Sequence, residues 1–395
     1  MVEIKNVLCL GAGLMGNGIG QVALMAGYNV IMVDIKDEFV DKGVAKIEDG
    51  LKRLEAKGKL GEGVSAADVM EKLSKSIDLA SAVKDADIVI EAVVENIDVK
   101  KQVCKTIMDN GPSHVIFASN TSTMSITEIG KDSGAPDRVC GMHFFNPVPL
   151  MRCIEVIKGA DTSDATFNTA MDVAKSLPCL RGARYIAPVL KDRPGFIVNR
   201  LNAPVQIYLS WAFDQVKEKG LAWEQLDADA GGKMPMPPCV LTDFVGIDTM
   251  YHVMNYYAET LSPNFKPGKV ITEMYESGNL GQKTGKGFYD WSQGRDAIMA
   301  KVKAASPAGL FDLNKTFAIL LNEGCRILDE GIATGFKIID DANMAGMNAP
   351  GPFSAGKKNF EKWSEILEKM AGEMGKDYLR PIELMKSGGF AKMRK

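Results

Sequence analysis

Residues 5–34, KNVLCLGAGLMGNGIGQVALMAGYNVIMVD, leave little freedom about what the first part of this chain becomes. A continuous apolar run leads into a glycine-rich turn, a segment of helical period, and a second apolar run that ends in an acid. That order is a βαβ unit. Gly11, Gly13 and Gly16 fall at G-x-G-x-x-G spacing directly after the first strand. Glycine at those positions permits the tight turn, close approach of the backbone to a pyrophosphate, and close packing of helix on strand. The helix N-terminus formed around Gly13, Leu14, Met15 and Gly16 presents free N–H groups to phosphate. Asp34 closes the second strand 18 residues after Gly16 (34 − 16). A carboxylate there accepts hydrogen bonds from ribose hydroxyls and repels a 2′-phosphate. The unit therefore predicts a Rossmann-type α/β domain that binds NAD rather than NADP.

Three further strands are expected at ADIVIEAVVE (86–95), SHVIFASNTS (113–122) and DRVCGMHFF (137–145). In a doubly wound parallel sheet the ligand crevice lies beyond the carboxyl ends of the strands. Glu95, Asn120, Ser122, His143 and Asn146 then gather on one rim. His143 is one of only three histidines in the chain, and imidazole is the side chain that gains or loses a proton near neutral pH. A lone histidine beside phenylalanines is more often a satisfied core residue, so its place on that rim is what singles it out. After the phenylalanines the chain turns through NPVPLMR and resumes as CIEVIKG. A hairpin centred on Pro149 places His143 and Glu155 six residues to either side (149 − 143 and 155 − 149). Facing side chains in an antiparallel pair stand ~4.5–5.5 Å apart at Cβ, so the carboxylate can hold the ring. A base oriented by an acid beside a nicotinamide crevice is an arrangement for moving a proton. His114, after a Gly-Pro turn, and His252, in the aromatic run MYHVMNYY, are read as structural.

Length and composition bound the rest. At 395 residues the chain exceeds one ordinary core, so two or three domains are expected. A net charge of −3 gives no general attraction to nucleic acid or an anionic membrane. The seven cysteines are scattered and never spaced as C-x-x-C, which suggests neither a disulfide framework nor a metal site and fits a reducing cytoplasm. No signal peptide and no membrane span are expected.

DRPGF, 192–196, breaks the chain and starts a long helix over 197–219, with Asn199 in its first turn and Pro204 as a kink. The expected division is a Rossmann domain over 1–190, a helical domain over 191–300, and a degenerate second copy of that helical domain over 301–395. The copy is read from three alignments. Gly220 and Gly331 close the similar segments FDQVKEKG and CRILDEG, KMPMPP matches MNAPGP, and SGNLG matches SGGFA. The second copy lacks any KTGKGFYDW, so it is expected to be scaffold.

At this level of detail the chain resembles the L-3-hydroxyacyl-CoA dehydrogenases. The resemblance rests on GAGLMG (11–16), EAVVEN (91–96), SNTSTMSI (119–126), GMHFFNPVP (141–149), EVIKG (155–159), DRPGFIVNR (192–200), DFVGID (243–248) and KTGKGFYDW (283–291), in family order across most of the chain. It implies transfer of hydride between C3 of a 3-hydroxyacyl thioester and NAD, as in fatty-acid β-oxidation. His143 matches the family's general base, and Glu155 the acid that orients it. Ser122 and Asn199 match the residues that hold the substrate oxygens. Asp34, Glu95, Lys100, Asn120, Asn146 and Lys283 match NAD contacts. The basic segment 47–63, with Lys52, Arg53, Lys57 and Lys59 on a helical pattern, matches the helix that meets the nucleotide end of coenzyme A. Lys57 is the positional match, and Gly50 stands where some relatives have serine. Single-copy relatives pair helical domains across a dimer, so the tandem copy implies an intramolecular pseudo-dimer, with further assembly open. One departure is PMPP, where relatives tend to have PMGP. The competing readings are a dehydrogenase of the same architecture acting on a non-CoA hydroxy acid, and an NAD-binding protein without turnover.

Overall fold

The computed structural model describes residues 3–394. Eight strands form one sheet: β1 (Asn6–Leu10), β2 (Asn29–Val33), β3 (Leu73–Ser76), β4 (Ile88–Glu91), β5 (Ile116–Ser119), β6 (Val139–Phe144), β7 (Cys153–Ile157) and β8 (Tyr185–Val189). Their order is β3-β2-β1-β4-β5-β6-β7-β8. The first six run parallel, β7 is antiparallel to β6, and β8 is parallel to β7. Strands β4, β5, β6 and β7 are buried throughout. This is the pattern of a sheet covered on both faces, which is why their sequences read as continuous apolar runs.

The expected strands are longer than those observed: 86–95 narrows to Ile88–Glu91, 113–122 to Ile116–Ser119 and 137–145 to Val139–Phe144. Strands β3 and β8 lie outside the expected set. The first is the polar edge segment LSKS, with two exposed residues, and the second carries Pro188, which a pattern reading excludes from a central strand and an edge tolerates.

Helix α1 (Leu14–Met25) follows the glycine turn, and α2 (Asp37–Glu55) packs beside it. Helix α2 buries Val40, Gly43, Ile47, Leu51 and Leu54, spaced three and four apart along one face. It carries Asp37 and Glu38 in the first turn and Lys52 and Arg53 in the last, as the helix dipole favours. It stops at Glu55, and Gly58 has a left-handed φ of 62°. Lys57 and Lys59 therefore lie past the helix, not on it. Helix α3 (Ile97–Asn110) follows β4, and α4 (Asp164–Ser176) packs on β6 and β7.

The chain divides into two compact units. The first runs up to Val198 and includes Glu330–Gly351; the second comprises Asn199–Asp329 and Pro352–Arg394. Helix α5 (Val198–Glu218) begins at the last residue of the first stretch, with Pro204 inside it. In the second unit Asp227, on α6 (Trp223–Ala228), accepts from the N–H groups of Cys239 and Val240 at the start of α7 (Pro238–Val245). Pro237 precedes α7 in extended backbone, φ −72° and ψ 170°, which proline adopts without strain. Asp243 accepts from the N–H groups of Phe288 and Tyr289 and from Trp291 Nε1, fixing the KTGKGFYDW loop. Helix α8 (Ile247–Thr260) follows, with His252 edge-on to Tyr275 at 5.1 Å. The longest helices further along the chain are α9 (Leu313–Asp329), α10 (Phe336–Met347) and α11 (Phe353–Met374). Arg200 on α5 and Glu323 on α9 form a buried ion pair. Helix α10 lies in the first unit and packs on β7 and β8.

Candidate active site

Antiparallel pairing of β6 with β7 places His143 opposite Glu155. Nδ1 of His143 is 2.6 Å from Glu155 Oε2. The ring is 5% exposed and the carboxylate fully buried. With its proton on Nδ1 the imidazole donates to Glu155, leaving Nε2 to exchange a proton with a ligand. The other carboxylate oxygen, Oε1, accepts from the backbone N–H groups of Ile197 (3.0 Å) and Val198 (2.8 Å) at the start of α5. Three donors thus fix the acid, two of them at a helix N-terminus, where negative charge is favoured. The turn that aims those N–H groups contains Phe196, a non-glycine residue at φ 54°, a conformation that costs on the order of 1 kcal/mol and collects at functional sites. Phe145 and Phe196 flank the imidazole at 4.6 and 5.9 Å between ring centroids.

His143 opens onto a cavity of about 420 Å³, which Met15, Glu95, Lys100, Asn120, Ser122, Phe145 and Asn146 also line. Seven of the residues singled out in the sequence therefore share one space with the base of the glycine turn. Beneath it lies a group the sequence reading overlooked. Glu91, fully buried, accepts from Lys100 Nζ (2.6 Å), Ser119 Oγ (2.6 Å) and the Val93 N–H (2.7 Å). Lys100, 1% exposed, also lies 3.1 Å from Glu95 Oε2. Burial opposes ionisation of Glu95, but the Lys100 charge and hydrogen bonds from Thr121 and Ser122 outweigh it and hold the carboxyl below its ordinary value. Asn120 Oδ1 accepts from the Phe144 N–H at 2.9 Å, tying the end of β6 to the neighbouring loop.

The glycine turn has the shape a pyrophosphate needs. Gly11 has φ 96°, and a Cβ there would stand 2.5 Å from the Ala92 carbonyl oxygen. A Cβ at Gly16 would stand 1.7 Å from the Gly11 carbonyl oxygen. Gly13, the residue before α1, faces open space, with nothing within 4 Å of its Cβ position. Asp34 is held at the tip of β2 by the N–H groups of Ala12 and Ile35, each at 2.7 Å. These residues fit the pyrophosphate and ribose of a dinucleotide.

Asn146 also lines a second groove, of about 290 Å³, with Gln21, Lys46, Gly50 and Arg53 along α1 and α2. Gly50 leaves room for the Gln21 amide, whose Oε1 would be 2.6 Å from a Cβ there. Lys57 is not among the residues lining either space. Asn199 and Lys283 belong to the second unit. There Asn199 stands in the first turn of α5, and Lys283 Nζ lies 2.6 Å from Asp248 Oδ2. His114 pairs with Asp87 at 3.0 Å before β5.

Residues 6–179 match the NAD binding domain of 3-hydroxyacyl-CoA dehydrogenase, and residues 195–291 match its C-terminal domain. The mitochondrial hydroxyacyl-coenzyme A dehydrogenase of Rattus norvegicus is 40% identical over 301 residues, 73% of this chain and 92% of the relative. The chain belongs to the 3-hydroxyacyl-CoA dehydrogenase family. Within that family, a probable 3-hydroxybutyryl-CoA dehydrogenase of Bacillus subtilis is 37% identical over 74% of this chain and 99% of its own length. The crystal structure of 3-hydroxybutyryl-CoA dehydrogenase from Escherichia coli covers 99% of both chains, with a TM-score of 0.85 at 25% identity. That of (S)-3-hydroxybutyryl-CoA dehydrogenase from Ralstonia eutropha covers 73% of this chain and all of its own, with a TM-score of 0.66 at 40% identity. Residues 292–395 lie outside both matched family domains.

Proposed function

We propose that this enzyme interconverts an L-3-hydroxyacyl-CoA and the 3-oxoacyl-CoA, with His143 as the group that moves the hydroxyl proton. The observation that carries the reading is the His143–Glu155 pair at 2.6 Å on the wall of the cavity beside the glycine turn. NAD, when bound, supplies the hydride acceptor. Gly11, Gly13, Leu14, Met15 and Gly16 would hold its phosphates and Asp34 its adenosine ribose, with Glu95, Lys100, Asn120, Asn146 and Lys283 along the remainder. During oxidation His143 Nε2 takes the proton from the substrate hydroxyl, and Glu155 stabilises the imidazolium. During reduction the proton returns by the same path. Ser122 and Asn199 would hydrogen-bond the substrate oxygens and fix C3 in place, since orientation supplies much of the rate. A positioned base contributes typically ~10²–10⁴-fold.

The test is NADH oxidation dependent on acetoacetyl-CoA, run beside free acetoacetate. Turnover with the thioester alone supports the reading. Turnover only with the free acid would favour the non-CoA dehydrogenase, and calorimetric NADH binding without turnover on either would favour a silent binder. Cofactor choice gives a separate prediction. A like charge within a few ångströms of a 2′-phosphate costs on the order of 4 kcal/mol, so kcat/KM for NADH should exceed that for NADPH by at least ~10²-fold. Asp34→Ala should narrow that ratio; equal use of both by the unaltered enzyme would contradict the role given to Asp34.

The tandem copy over 301–395 and the intramolecular pseudo-dimer belong to the same reading. They are supported by the aligned motifs and by the buried Arg200–Glu323 pair joining α5 to α9, the leading helix of each copy. A light-scattering mass of one chain is expected if the pairing closes within the chain; an obligate dimer joined through residues 191–300 would refute it. The groove lined by Lys46 and Arg53 supports a place for the anionic arm of coenzyme A. Lys57, just past α2, would meet its outer end. The seven unpaired cysteines support a cytoplasmic setting, and among the described residues no helix is long and apolar enough to cross a membrane.

A further inference from the structure

Helix α10 comes from the C-terminal region outside both matched family domains, yet it is built into the sheet unit that carries His143. It is tied there through the segment that precedes it, by the Leu190 N–H to the Ile332 carbonyl (2.8 Å) and by Lys191 Nζ to the Glu330 carbonyl (2.6 Å). It buries Phe336, Ile339, Ala342 and Ala345. Near its C-terminus Gly346 is also buried. A Cβ at Gly346 would stand 3.2 Å from Cε1 and Cζ of Phe145 and 3.3 Å from Cβ of Cys153.

Those two neighbours are not arbitrary. Phe145 lies two residues after His143, and Cys153 two residues before Glu155. Phe145 is the first residue past β6 and Cys153 the first of β7, so Gly346 abuts the two strand ends next to the facing His143 and Glu155. Phe145 in turn stands 4.6 Å from the imidazole and lines the cavity. We propose that Gly346 of α10 is a positioning residue for the proposed reaction: it sets the Phe145 ring, and Phe145 sets the imidazole of His143. The helix thereby makes the C-terminal region a working part of the candidate active site, not scaffold alone. This inference rests on the functional reading above.

The experiment is a double-mutant cycle read by NADH oxidation with acetoacetyl-CoA. A leucine at 346 cannot fit unless the ring moves, and a displacement of ~1 Å costs about 10²-fold in rate. Gly346→Leu should therefore lower kcat about that much while leaving KM for NADH unchanged. Gly346→Leu combined with Phe145→Leu, which returns the space, should recover a large part of the loss. Met344→Ala, half-exposed on the same helix, should leave kcat as it was. Should Gly346→Leu fail to fold, Phe145→Leu reads the contact from the other side: its loss in kcat should be partly restored by adding Gly346→Ala. A folded Gly346→Leu protein with unaltered kcat, or independent effects in the Phe145→Leu and Gly346→Ala cycle, overturns the inference. The unaltered enzyme is assayed alongside. If it is inactive on acetoacetyl-CoA the functional reading fails, and if it is active while the variants match it only the role of Gly346 fails.

Discussion

His143→Gln is expected to lower turnover of acetoacetyl-CoA with NADH by about 10³-fold, within the range a positioned acid or base contributes, while NADH affinity stays the same. Glutamine can keep a hydrogen bond toward Glu155 but cannot exchange a proton near neutral pH. The fold should tolerate the change. Facing phenylalanines at 4.6 and 5.9 Å bound the space, and Glu155 remains held by the N–H groups of Ile197 and Val198. The glycine turn Gly11–Gly16 follows β1 and Asp34 follows β2, whereas the altered side chain belongs to β6. Loss of turnover together with loss of NADH binding would point to a structural residue instead, and unaltered turnover would remove the base from the mechanism.

The second large effect is on stability. Glu323 is 1% exposed and faces two arginines: Arg200 Nε, 2% exposed, and Arg326 Nε at 3.4 Å. Tyr378 OH also donates to it at 3.0 Å. Replacing it with leucine strips a buried guanidinium of its carboxylate, a change that costs about 3–5 kcal/mol. Chemical denaturation of Glu323→Leu should show that loss, whereas the paired change Arg200→Met with Glu323→Leu should recover much of it, because the desolvation of both charges disappears together. A loss below about 1 kcal/mol in the single variant would place the pair among ordinary surface bridges.

The βαβ unit was legible because steric necessity wrote it. Gly11 and Gly16 sit where any Cβ would collide with backbone oxygen. The facing of His143 and Glu155 was legible because a hairpin fixes register by counting residues from its turn. Other parts carried no such signal. Glu91, Glu95 and Lys100 fall on a strand end, a loop and a helix, so no periodicity relates them, and only the fold shows that Lys100 sits between the two acids. The Ile197 and Val198 N–H groups that hold Glu155 are backbone donors, which every residue but proline possesses. Strand β8 was hidden by Pro188. The approach of Gly346 to Phe145 joins residues 201 positions apart (346 − 145), and a glycine near a helix end reads as a cap, not a contact.

Glu155→Gln offers the most direct test of whether the buried pair moves the proton. The measurement is the single-turnover rate of NADH oxidation by acetoacetyl-CoA, which separates the chemical step from product release. If Glu155 stabilises the imidazolium that donates to the forming alcohol, the variant should be slower by about 10²-fold or more at unchanged NADH affinity. Equal single-turnover rates in the variant and the unaltered enzyme would contradict it.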